Sequence, residues 1–161
     1  MNENERLISD FYTCLQCLDW RGVNSFYHAD ATFYDPVFEN LENGQVTAMW
    51  EMLLSGAREF RLDFAGVHAD GEYGGCTWTA YYSFSRTGRR VVNKGKAHFR
   101  FVDGKIAEHQ DEFSLWAWSR QALGLPGLLF GWTSPMHRKI RDMARKSLDK
   151  FINRSTYVRP S

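Results

Sequence analysis

The sequence predicts an α+β fold: N-terminal helices packed on a curved antiparallel sheet, followed by a C-terminal amphipathic helix. Three observations carry this. Apolar residues recur at helical spacing over residues 3–18 and 43–56. From residue 60 the chain turns to β-forming segments with alternating faces. Beyond residue 133 an apolar stripe of helical period lies opposite a row of basic residues.

Each element has its own signal. The first helix, 3–18, puts Leu7, Ile8, Phe11, Leu15 and Leu18 on one stripe, and a short second helix is expected over 21–28. Ala31 to Tyr34 is rich in β formers and stops at Asp35-Pro36, since the residue before a proline favours extended backbone and a turn follows. Asn43 to Gly56 reads as a third helix, with Asn43 as its cap and Val46, Met49, Trp50, Leu53 and Leu54 as its buried stripe. Strands are expected over Phe60 to Ala69 with a bulge at Gly66, over Cys76 to Ser85, over Val91 to Val102, and over Ile106 to Leu115. Gly71 and Gly74-Gly75 mark the turn before the second of these, and Asp103-Gly104 a hairpin before the last. Ala122 to Trp132 is an apolar connector broken by Gly and Pro, and Ser134-Pro135 opens the final helix with Ser134 as cap. Its stripe is Met136, Ile140, Met143, Ala144, Leu148, Phe151 and Ile152, opposite Arg138, Lys139, Arg141, Arg145, Lys146 and Lys150. Residues 1–118 are expected to form the sheet domain, and residues 119–161 a helical extension packed on it or on a dimer mate.

Composition narrows the function classes. A chain of 161 residues is most simply one domain, and its Trp 6, Tyr 7 and Phe 12 supply an ample core and an aromatic-lined cavity or interface. A net charge of +1 makes no global case for nucleic acid or membrane, so neither partner is expected. The charge is unevenly spread: residues 1–60 hold ten acids and three Lys/Arg, residues 61–161 nine acids and seventeen. The N-terminus MNENERLISD has no apolar signal core, and Ala122 to Trp132 is too short to span a bilayer, so a cytoplasmic location is expected. The basic final helix is read as packed on its own domain or a dimer mate rather than on a membrane or polyanion. Cys14 and Cys17 form a C-x-x-C without the second pair a zinc site needs, and Cys14 continues the first helix's stripe as core. No phosphate-binding glycine loop is present. A nucleophile at Cys76 or in a Ser–His–Asp set has no support beyond the residue types. Phe84 and Val92 on exposed sheet faces point to a homodimer.

The chemistry concentrates in Ile106 to Leu115, IAEHQDEFSL. On a strand, Ala107, His109, Asp111, Phe113 and Leu115 share one face, and the Ala, Phe and Leu make it the inward one. A buried carboxylate is costly without a partner, so His109 and Asp111 form either a functional site or a structural pair. Their i, i+2 spacing, with Asp35, falls short of a recognisable metal set, and no metal is expected.

Two segments, FYHADATFYDPVF (Phe26 to Phe38) and FRFVDGKIAEHQDEF (Phe99 to Phe113), together with the element order, resemble the nuclear transport factor two-like superfamily over about residues 3–116. This cystatin-like cone is shared by ketosteroid isomerase, SnoaL-like polyketide cyclases and limonene epoxide hydrolase. The resemblance implies that Asp35, at the Asp-Pro turn, sits where the isomerase keeps its general base; strand parity agrees, since Ala31, Phe33 and Asp35 share a face. The isomerase's oxyanion-binding tyrosine and aspartic acid fall on Phe11 and Ala97, which donate no hydrogen bond, so that reaction would need Tyr12, Tyr34 or Tyr82 instead. Asp111 matches the last-strand acid of the cyclases and the epoxide hydrolase. The expectation is then cofactor-independent proton abstraction beside the carbonyl of a small apolar molecule, giving isomerisation, cyclisation or dehydration. Asp111, Asp35 and His109 are its catalytic candidates, and Tyr34, Trp78, Tyr82, Phe11, Phe99 and Phe113 its substrate-lining candidates. The alternative is a small-molecule-binding or dimerisation module without catalysis.

Overall fold

The computed structural model describes residues 1–42 and 44–157, so the expected cap at Asn43 lies outside the described residues. The chain runs α1 (Glu3–Gln16), α2 (Trp20–Ser25), β1 (Tyr27–Asp35), β2 (Glu39–Glu42), α3 (Gly44–Ser55), β3 (Arg61–Asp70), β4 (Tyr73–Ser83), β5 (Arg90–Val102), β6 (Lys105–Phe113), α4 (Leu115–Ala122), α5 (Leu125–Phe130) and α6 (Ser134–Tyr157). This is the α+β cone, with helices at both ends of the chain packed on one sheet.

Local chemistry starts the first elements. Asn2 and Glu5 form a reciprocal capping box on α1, and Asp19 caps α2 through the Gly22 amide. α1 buries Ile8, Phe11, Tyr12 and Leu15; α3 buries Val46, Met49 and Leu54. These side chains meet Phe33, Phe99, Phe101 and Ile106 of the sheet in one large core. A smaller cluster of Val91, Leu115, Trp118, Ala122 and Ile140 lies where α4 and α6 meet the sheet.

The six strands are ordered β2-β1-β6-β5-β4-β3. Four pairings are antiparallel, but β1 runs parallel to β6, which corrects the expected all-antiparallel sheet. The ends of the chain's β region are thereby joined, a contact no local pattern announces. Gly66, at φ +66°, sits in the expected bulge between Ala65 and His68. Asp103 and Gly104, at φ +52° and +71°, form the expected hairpin turn.

Other expectations are corrected. Gly74 and Gly75 lie inside β4, and Gly71 alone marks the turn; a Cβ at Gly74 or Gly75 would come 2.7 Å from the His68 carbonyl or 2.5 Å from that of Ala97. β2 escaped the sequence reading because ENLE is short and mostly polar. Leu115 begins α4 instead of ending the last strand, as Ser114 Oγ accepts the Ala117 amide and turns the chain. The expected connector contains α5, and Thr133, rather than Ser134, receives the Met136 amide at the start of α6.

The C-terminal helices cover sheet that the sequence left bare. β5 outlasts β6, and Gln121 of α4 pairs with the uncovered edge by accepting the Val92 amide and donating to its carbonyl. Phe84 packs edge-on against Trp118 at 5.2 Å, while Val92 is 39 % exposed. α6 buries Ile140 and Leu148, and Arg141 and Arg145 donate to the carbonyls of Pro36 and Asn40. No described helix is long and apolar enough to cross a membrane.

Candidate active site

Asp35 and Asp111 are brought together by the parallel pairing. Its register sets Phe33 beside His109 and Tyr34 beside Gln110. One residue further on, the two carboxylates come level and face the same way. Both line a cavity of about 420 Å³, within the range of small-molecule sites. Phe33, Phe38, Trp50, Trp78 and Phe113 form much of its wall, and Ile140, Met143 and Ser147 of α6 close one side.

The two carboxylates are held differently. Pro36 has no amide hydrogen, and the chain folds back so that the next two amides reach Asp35: Val37 and Phe38 donate to its Oδ1 at 2.8 and 2.6 Å. Burial nevertheless dominates. It lifts the Asp35 carboxyl to about 7; the Phe38 and Val37 amides oppose the rise, and the nearby charge of Asp111 adds to it.

Asp111 ends a chain of buried side-chain hydrogen bonds. Trp50 Nε1 donates to the Tyr27 hydroxyl at 2.8 Å, which donates to His109 Nδ1 at 2.7 Å. His109 Nε2 then donates to Asp111 Oδ1 at 3.1 Å, where Trp78 Nε1 also arrives at 3.1 Å. With the Tyr27 hydroxyl donating to Nδ1, the network assigns a proton to His109 Nε2. Trp78 reaches Asp111 from β4 by crossing β5 at Gly95, where a Cβ would come within 2.4 Å of the indole. That glycine is the opening through which the carboxylate gets its second donor.

A hydroxyl donor faces the same cavity. Tyr82 lines it, and the Tyr82 oxygen accepts Trp118 Nε1 at 2.7 Å. Burial pushes this phenol up to about 12; the Trp118 bond opposes the rise and the charge of Asp35 contributes to it. Among the described residues Tyr82 donates to no acceptor. Asn93, buried on β5, adds a polar side chain to the wall.

The candidates therefore divide. Asp35, Asp111, Trp78, Tyr82 and Phe113 line the cavity. His109 does not: it is 2 % exposed and stands behind Asp111, ringed by Phe11, Phe33 and Phe99. Phe11 and Phe99 are core around that imidazole, not cavity wall. Tyr34 is corrected by parity, because its neighbours Phe33 and Asp35 face the cavity and it faces away. Cys76 touches Tyr12, and burial holds its thiol up at about 12, against nucleophilic use. Among the described residues no group of three His, Cys, Asp or Glu lies close enough together to hold a metal ion.

Sequence reasoning missed Tyr27, Trp50, Asn93, Gly95 and Trp118. Asn93 was findable, since it shares the inward parity of Ala97 and Phe99. Tyr27, Trp50 and Trp118 matter only through partners 23 to 82 residues away, for which the sequence carries no spacing signal.

Solved structures of the same shape surround this chain. An NTF2-like protein of unknown function from Burkholderia pseudomallei is 18% identical with a TM-score of 0.65, covering 76% of this chain and 98% of its own. A hypothetical protein with a ketosteroid isomerase-like fold from Catenulispora acidiphila, in complex with trimethylamine, is 14% identical with a TM-score of 0.66, covering 79% and 96%. An LEH-like epoxide hydrolase of M. tuberculosis is 21% identical with a TM-score of 0.63, covering 79% and 95%. At these identities the likeness carries the fold alone. No curated protein matches the chain. The model of the SnoaL-like domain matches residues 8–109, from the first buried turn of α1 to the histidine behind the cavity, and the chain belongs to that family.

Proposed function

We propose that the protein is a cofactor-independent enzyme that abstracts a proton beside the carbonyl of a small apolar molecule, with Asp35 as general base. The observation that carries this is Asp35 itself: a carboxyl lifted to about 7 at the wall of an aromatic cavity, beside a second carboxylate. A base works best when its pKa lies near the working pH. Ionised Asp35 takes the proton. Negative charge then develops on the carbonyl oxygen, where the free Tyr82 hydroxyl and Asn93 supply donors in a water-poor site. Trp118 steadies the Tyr82 oxygen, and His109 holds Asp111 in place as a positioning residue. Isomerisation follows when protonated Asp35 returns the proton to another carbon, cyclisation when the enolate carbon attacks a second carbonyl of the substrate whose oxygen takes the proton, and dehydration when a hydroxyl on the β-carbon takes the proton and leaves as water.

The test is deuterium incorporation at the α-carbon of a panel of cyclic ketones in heavy water, followed by NMR. Wild type is expected to exceed the buffer rate, with activity rising through about pH 7. Asp35→Asn is expected to lose on the order of 10³-fold, and Tyr82→Phe a smaller factor. Exchange at the buffer rate across the panel, or exchange untouched by Asp35→Asn, overturns the reading.

A second reading, binding without turnover, has an observation of its own. The positions that match the isomerase's oxyanion donors are Phe11 and Ala97, both buried in the core. It predicts ketones that bind in the cavity equally well in wild type and Asp35→Asn and return unexchanged.

A further inference from the structure

α5 is built inside out. Its small residues face the protein, since Gly127 lies so close to α4 that a Cβ there would come 2.0 Å from the Ser119 carbonyl, and one at Gly131 would meet Ser119 Oγ at 2.1 Å. Its large apolar residues face solvent: Leu125, Leu128, Leu129 and Phe130 are 48–66 % exposed, and the following Trp132 is 69 % exposed. Trp116 extends the patch, its indole donating to the Leu128 carbonyl at 3.4 Å. A contiguous apolar surface of this kind on a water-facing helix marks an interaction site.

The surround is basic. Between Glu112 and Asp142 there is no acidic residue. Arg120 lies over the Trp116 ring at 4.8 Å, and Arg89 reaches the start of α5, donating to the Gln121 carbonyl. His137 Nε2 meets the Gly131 carbonyl at 2.7 Å, tying α6 to the end of α5 and bringing exposed Arg138 and Lys139 close to the patch. An isologous contact with a second copy would set these cations against one another with no acid of the same segment between them. An anionic lipid surface meets both halves of the chemistry: headgroups for the Arg and Lys, and the headgroup–acyl boundary for Leu, Phe and Trp.

We propose that the outward face of α5, with Trp116 and Trp132, docks on an anionic lipid surface. This departs from the expectation of no membrane contact, which weighed the basic face of the last helix and not the apolar face of α5. It describes a chain lying on a bilayer, not crossing one.

The test is flotation of the full chain with vesicles of phosphatidylcholine alone or with about one third phosphatidylglycerol, alongside light scattering. Flotation is expected with the anionic vesicles only, reversed by salt, with a blue shift of tryptophan emission. The double variant L128E/L129E is expected to abolish it. R120Q, R138Q and K139Q are expected to weaken partition about fivefold for each charge removed. These side chains are exposed, so the variants should melt as wild type does, and a melting curve checks this. Three outcomes overturn the proposal: no flotation with anionic vesicles at low salt, flotation that survives L128E/L129E, or a dimer that L128E/L129E splits, which would assign the face to a second copy.

Discussion

Asp35 and Asp111 end up level with one another in one cavity, and both are nine-tenths buried, yet they are held in opposite ways. Asp35 is served by the backbone of its own turn, two and three residues on. Asp111 is served by an indole from β4 and an imidazole two residues back on its own strand, itself fixed by Tyr27 and Trp50. The difference teaches that two equally buried carboxylates can be held by quite different partners, one set local in the chain and the other distant. Burial, only partly offset by its two local amides, brings Asp35 to about 7, ready to exchange a proton. The long-range network fixes Asp111 in place beside Asp35, where its charge helps raise its neighbour.

That contrast is open to direct attack, and the hardest blow falls on the network. His109→Ala would empty a site ringed by Phe11, Phe33 and Phe99 and leave Tyr27 and Asp111 each short of a partner. Urea denaturation should read a loss of about 5 kcal/mol. A loss under about 2 kcal/mol would mean that Asp111 does not depend on the chain behind it.

Next comes the titration of Asp35. In the unfolded chain its proton leaves near the ordinary value of 3.8; in the folded protein it stays until about 7. The folded state therefore binds more protons between these values, so this group's contribution to stability falls as pH rises from about 4 to about 7 and is flat above. The full linkage is worth up to about 4 kcal/mol. Asp35→Asn keeps an oxygen for the two amides and removes the charge. Wild type and variant should match near pH 4, with the variant more stable at pH 8. Equal stability at both pH values would place Asp35 in the ordinary carboxylate range.

Gly95→Ala should cost about 2 kcal/mol by driving the Trp78 ring off its path to Asp111, and should shift tryptophan emission as the indole loses its acceptor. The smallest change is expected from Asp111→Asn. Both donors converge on Oδ1, an atom asparagine retains, so stability should move by less than about 1 kcal/mol. Removing that charge should also move the Asp35 transition to lower pH, which sharpens the comparison by linking its two halves.

Legibility in the sequence follows the same divide. Asp35 could be read because everything that places it is within three residues: the β run, the proline and strand parity. The facing of His109 and Asp111 could be read because alternation along a strand is also local. That His109 supports the cavity from behind could not, since the residues crowding it come from α1, β1 and β5. Tyr34 has the chemical type of a cavity wall, but strand parity, set by its neighbours Phe33 and Asp35, turns it away. The connector hid α5, because Gly and Pro read as breakers, whereas here Pro126 opens a short helix and Gly127 seats it against Ser119.

By itself the sequence determined the longer elements but not β2, α4 or α5, together with the family likeness, the hairpin at Asp103-Gly104 and the identity of the two carboxylates, because each depends on contacts a few residues apart. Tertiary structure decided that β1 lies parallel to β6, that Trp78 passes over Gly95, that Trp118 meets Tyr82 and that α5 turns its leucines outward. Those contacts join residues far apart in the chain, and their geometry is settled only when the sheet closes and the core packs.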